Sequence, residues 1–136
     1  MTVTLIDTNI LLDLFTDDPV WAEWSIRQLD AAAVKGPLTI NSVVYAELSV
    51  RFERIEDLNA VLDEAAISMA DIPRSALFLA GKVFQKYRAA GGLRSGVLPD
   101  FFIGAHAAVV GMALLTRDVQ RYRTYFPSVT LLAPQI

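Results

Sequence analysis

Four acids stand where their side chains could act together: Asp7, Glu47, Asp100 and Asp118. Asp7 closes the apolar run Val3-Thr4-Leu5-Ile6 and is followed by Thr8 and Asn9. Asp118 follows Met112-Ala113-Leu114-Leu115 through Thr116 and Arg117. The chain thus twice presents a strand covered on both faces, then a hydroxyl and an acid at its carboxyl end. Glu47 falls within the helical arc of Val43, Val44, Leu48 and Val50, and an ionised carboxylate against apolar surface needs a cation or donors to meet it. An i,i+4 pair with Arg51 is the local option. Asp100 opens an apolar helix on which Gly104, Ala107, Ala108 and Gly111 share its side, a stripe that lets a neighbouring backbone come close.

Four carboxylates in one crevice repel one another, so either their pKa values rise or hard cations enter. The chain has no cysteine and one histidine, and oxygen ligands favour Mg²⁺ or Mn²⁺ over zinc. Mg²⁺ commonly joins a few carboxylates to a substrate phosphate, which makes phosphodiester hydrolysis the chemistry this set suits. His106 lies away from the face of Asp100, and a packed or surface role is expected for it.

The elements that must position these acids alternate in type. Short apolar strands are predicted over Val3–Ile6, Leu38–Asn41, Met112–Leu115 and Val129–Leu132. Helices are predicted after Asn9, over Pro19–Val34, from a Ser42 cap to Phe52, over Glu56–Ser68, over Pro73–Ala90 and from Asp100, with a basic, aromatic turn over Val119–Phe126. Met69–Pro73 reads as a connection or very short strand. Strands alternating with helices build a parallel sheet, whose strand carboxyl ends and following helix starts line one edge. All four acids can meet there.

Composition narrows the class. At 136 residues the chain is expected to fold as one domain over positions 1–136. Its 54% hydrophobic content contains no run of about 20 apolar residues, so a shared apolar surface, in an oligomer or with a bound partner, is expected rather than a membrane span. Nothing at the amino terminus resembles a secretory segment, and the absence of cysteine fits a cytoplasmic location. The net charge of -3 is unevenly spread: residues 1–73 carry 13 acids against four bases, and residues 74–123 carry eight bases against two acids, Asp100 and Asp118. Bases around those two acids would meet a nucleic-acid backbone. Phe101, Phe102, Tyr122 and Tyr125 could stack on unpaired bases.

Asp7-Thr8-Asn9, the helical Glu47, Asp100-Phe101-Phe102-Ile103-Gly104-Ala105 and Thr116-Arg117-Asp118 resemble, in order and spacing, the acidic motifs of PIN-domain ribonucleases, particularly VapC-type toxins. The likeness runs over nearly the whole chain. It implies a three-layer α/β/α sandwich with a central, mostly parallel sheet of four to five strands. It further implies a Mg²⁺- or Mn²⁺-dependent endoribonuclease, acting as the toxin of a type II toxin–antitoxin pair and restrained by a cognate antitoxin as a homodimer or a dimer of heterodimers. By position Asp7, Glu47, Asp100 and Asp118 form the metal-binding acidic quartet, with Thr8, Asn9 and Thr116 in support. Arg94 and Arg117 are phosphate-contact candidates from their charge and closeness in sequence to the acids.

Other classes fit less well. A receiver-type signalling domain needs a paired acid and a late lysine, and no lysine follows Lys86. A haloacid-dehalogenase-type phosphatase needs an acid two positions after Asp7, where Asn9 stands. A non-catalytic RNA- or protein-binding module of the same fold is the remaining alternative.

Overall fold

The computed structural model describes residues 1–93 and 96–134. Strand β1 (Thr4–Ile6) leads into helices α1 (Thr8–Phe15) and α2 (Ala22–Lys35), and β2 (Leu38–Ile40) into α3 (Ser42–Ser49) and α4 (Ile55–Glu64). Strand β3 (Ile67–Met69) is followed by α5 (Arg74–Ala89) and α6 (Leu98–Val110), and β4 (Ala113–Leu115) by α7 (Val119–Tyr125) and β5 (Leu131–Leu132). The five strands form one sheet in the order β3-β2-β1-β4-β5, and all four pairings are parallel. The fold is an α/β/α sandwich, its sheet wholly rather than mostly parallel.

Every residue of β1, β2 and β4 is buried, as apolar strands covered by helices on both faces must be. Leu5, Ile6, Ile40, Leu114 and Leu115 from the sheet meet Ile10, Val44, Leu48, Phe101 and Ile103 from the helices in one continuous core. The chain works outward from β1 to β3 and then returns to the other side of β1 with β4. Right-handed crossovers, the rule for parallel sheets, put helices on opposite faces across such a reversal, and the carboxyl ends of β1 and β4 lie side by side there, where ligands bind in open α/β sheets.

Three local expectations give way to tertiary structure. The helix expected to reach Ser68 stops at Glu64, because Ala66 takes a left-handed φ of 56° and Ile67–Met69 pairs with Leu38–Ile40 along the open edge of β2. A helix continued through Ser68 would have left that edge unpaired. Helix α3 is capped by Asn41 rather than Ser42, the Asn41 side chain accepting from the Val44 N–H at 3.0 Å. The small stripe on α6 admits an aromatic ring instead of a backbone: a Cβ on Gly104 would run into the Phe126 ring.

Candidate active site

Asp7 ends β1 with its own N–H bonded to Leu115 O of β4, so the sheet itself sets the acid at the crevice. Its Oδ1 accepts from the Thr8 N–H at 2.8 Å, which also caps α1. Its Oδ2 accepts from Thr116 Oγ1 at 2.7 Å, Tyr122 OH at 3.2 Å and Asn9 Nδ2 at 3.4 Å. Asp7 is 4% exposed, and burial, with the Asp100 charge in support, raises its pKa to about 6 against the pull of the Thr116 bond. Four donors fix the direction of the carboxylate while desolvation resists its charge.

Thr8 ties the second acid to the first. Its Oγ1 donates to Glu47 Oε1 at 2.7 Å, carrying the connection from α1 to α3. The half-buried Glu47 therefore has its donor across the fold, and among the described residues Arg51 makes no ion pair with it. Behind α3, the buried His106 of α6 meets Asn41, Nδ2 to Nδ1 at 3.2 Å, so the only histidine packs beneath the cap of the helix bearing Glu47.

Asp100 and Asp118 are drawn together by a residue whose role the sequence did not announce. Arg121 Nη1, in the first turn of α7, donates to Asp100 Oδ2 and also reaches Asp118 Oδ2 at 3.4 Å. Burial raises the pKa of Asp100, Arg121 opposes that, and the charges of Asp118 and Glu47 add to the rise. Like-charge repulsion thus runs from Asp100 to each of the other three acids. Thr116 completes the frame, its Oγ1 accepting from the Asp118 N–H at 3.0 Å while it donates to Asp7. The four acids and the supporting Thr8, Asn9 and Thr116 accordingly converge on one edge of the sheet.

The two arginines chosen from sequence fare differently. Arg94 lies outside the described residues. Arg117 donates from Nε and Nη2 to the carboxylate of Asp13, at 2.8 and 2.9 Å, and stacks on the Trp21 ring with 4.9 Å to its centroid. Asp13 is buried and also accepts from Ser25 Oγ at 2.9 Å. The Arg117 N–H donates to Asn9 Oδ1 at 3.2 Å, so the loop carrying Thr116 and Asp118 is pinned to α1. Arg117 and Arg123 nonetheless border an open cavity of about 420 Å³ beside Asp118.

Two of the rings read as base-stacking candidates are unavailable for it. Phe101 and Tyr122 are both 0% exposed, the first inside an aromatic cluster with Tyr87, Tyr125 and Phe126, the second holding Asp7. Burial, followed by the charge of Asp7, pushes the Tyr122 hydroxyl well above its ordinary pKa, so it stays a donor. Its spacing four residues after Asp118 was the available signal, since i and i+4 face the same way on a helix.

A family model described as PIN domain matches residues 4–127. The chain belongs to the PIN domain family. Among solved structures it is similar to VapBC2 from Rickettsia felis bound to a DNA fragment from their promoter, at 19% identity over 98% of this chain and 100% of that one, with a TM-score of 0.75. DNA-bound VapBC from Salmonella typhimurium matches at 18% identity over 98% of each chain with a TM-score of 0.71. VapBC-1 from nontypeable Haemophilus influenzae matches at 17% identity over 97% of this chain and 98% of that one, with a TM-score of 0.72. No curated protein sequence matches. At such identities the likeness is one of fold, and the chemistry of this PIN domain has to be argued from its own acids.

All the donors those acids offer are carboxylate oxygens, the set a hard divalent cation requires. Among the described residues no three acid or imidazole groups stand close enough together to hold an ion as they are. The positive charge between Asp100 and Asp118 is supplied by Arg121. The donor chemistry is that of a divalent-cation site, and in this structure Arg121 stands between two of its members.

Proposed function

We propose that this PIN domain is a Mg²⁺- or Mn²⁺-dependent endoribonuclease and the toxin of a type II toxin–antitoxin pair. The observation that supports it most directly is the gathering of Asp7, Glu47, Asp100 and Asp118 from separate elements at one edge of the sheet, where burial, with like charge in support, raises the pKa of Asp7 and of Asp100.

Asp7, Asp100, Asp118 and Glu47 would hold the ion, which when bound would draw charge from the phosphate and make the attacking water more acidic. Asp7 keeps a fixed direction through Thr8, Asn9, Thr116 and Tyr122, so little reorganisation accompanies binding. Glu47, held by Thr8, stands as the group to accept the proton of that water. Attack forms a new phosphorus–oxygen bond as the bond to the leaving oxygen breaks, and the proton ends on the leaving group. Arg117, Arg123 and, from sequence alone, Arg94 are the candidates for backbone phosphates, the first two beside the cavity next to Asp118.

An antitoxin and a second copy of the chain are the partners that fit this role. An apolar cavity of about 230 Å³, lined by Leu11, Leu14, Phe15, Ile26, Val61 and Leu62, suits an apolar segment of a partner protein. Exposed Val50, Ile55 and Phe78 offer further apolar area for association. Among the described residues no helix is long and apolar enough to cross a membrane, and the role proposed belongs to the cytoplasm.

The deciding experiment is cleavage of total RNA by the purified chain with Mg²⁺, Mn²⁺ or chelator. Asp7→Asn and Asp100→Asn, which remove charge with little change in volume, are expected to lower the rate about a hundredfold or more with the circular dichroism unchanged. Full activity in both variants removes the mechanism. Expression of the wild type should also arrest growth, and co-expression of a neighbouring small reading frame should restore it. Growth without any such rescue defeats the toxin role.

A further inference from the structure

We propose that Arg121 is a built-in occupant of the ion site, exchanging with the divalent cation between Asp100 and Asp118. This rests on the metal reading given above. Arg121 Nη1 donates to Asp100 Oδ2 and lies 3.4 Å from Asp118 Oδ2, and its side chain is only 20% exposed. Among the described residues it is the one cation in an ion pair with any of the four acids, since Arg117 is turned to Asp13.

The two cations exclude each other for two reasons. They need the same carboxylate lone pairs, and unit charges of one sign a few ångströms apart in a half-buried site repel strongly. Arg121 also has a way out. It sits in the first turn of the seven-residue α7, on a long flexible stem, and the side chain of Asp118 beside it is 39% exposed. Without an ion the guanidinium relieves the repulsion among the acids; with one it is expelled toward the rim.

The test is binding of Mn²⁺ alone to the chelator-washed full chain, read as loss of the free-ion electron paramagnetic resonance signal. Arg121→Gln is expected to bind Mn²⁺ roughly ten- to a hundredfold tighter than the wild type, the range for releasing a charge-assisted hydrogen bond. Arg121→Lys, which keeps the charge and loses the fork, should fall between the two. Asp100→Asn should bind weakly in either background. Equal or weaker binding by folded Arg121→Gln overturns the exchange, while the gap between wild type and Asp100→Asn still upholds the metal reading. If Arg121→Gln does not fold, Arg121→Lys decides by the same sign. Absence of Mn²⁺ binding in the wild type and both Arg121 variants removes the metal reading and the exchange with it.

Discussion

Thr116 Oγ1 lies 2.7 Å from Asp7 Oδ2, joining the ends of two neighbouring parallel strands across 109 positions of sequence. The same oxygen accepts the Asp118 N–H, so one hydroxyl orients an acid on each side of the crevice. Thr116→Val keeps the shape and deletes both bonds. It is expected to cost about 1–3 kcal/mol in urea denaturation at neutral pH and to lower cleavage ten- to a hundredfold. Because the Thr116 bond holds the Asp7 pKa down, the pH at which activity appears should move upward in Thr116→Val and return in Thr116→Ser. An unchanged pH profile would leave Thr116 with a packing role only.

Asp7 makes stability depend on pH in a definite direction. Its folded pKa of about 6 exceeds the ordinary 3.8, so the folded state holds this proton more tightly than the unfolded chain does. The associated stability is complete below the unfolded value and is lost as pH rises through 6. Relative to Asp7→Asn, the wild type should lose about 2 kcal/mol between about pH 4 and pH 7, measured by denaturant unfolding with chelator present. Parallel profiles for the two proteins would contradict this. Mn²⁺ affinity should rise over the same interval, since the ion takes the deprotonated acid.

Asp13 and Arg117 form a part-buried, bidentate pair, with side chains 4% and 28% exposed. Arg117→Met leaves the Asp13 charge alone and is expected to cost about 3–5 kcal/mol, most of it recovered by adding Asp13→Leu. Trp21, beneath the guanidinium, should report the loss as a change in fluorescence. Had Arg117 only a phosphate to contact, Arg117→Met would weaken RNA binding and leave the unfolding midpoint in place.

Gly104 gives the α6 stripe its use. Gly104→Ala sets a methyl group against the Phe126 ring, which is 3% exposed and has little room to turn. The clash, about 1–3 kcal/mol, should outweigh the roughly 1 kcal/mol that alanine adds in helix propensity. A lower melting temperature is expected, and a raised one would mean that Phe126 moves freely.

What could be read from the sequence alone was whatever repeats locally. The apolar runs before Asp7 and Thr116 declare buried parallel strands, and the arc around Glu47 turns that acid inward, because alternation and helical period need only neighbouring residues. The order of the acidic motifs carried the resemblance to PIN domains. Tertiary structure decided the rest. Ile67–Met69 became a strand because β2 offered it an edge, against a helical pattern expected to run as far as Ser68. Tyr122 left the expected stacking surface for Asp7, 115 positions away, and Arg117 found Asp13 at a separation of 104. Arg121 took the position between two acids that the sequence suggested for an ion. Such partners share no local period; they meet only when the sheet order is set and buried charges must be matched by whichever donors the packing brings within reach.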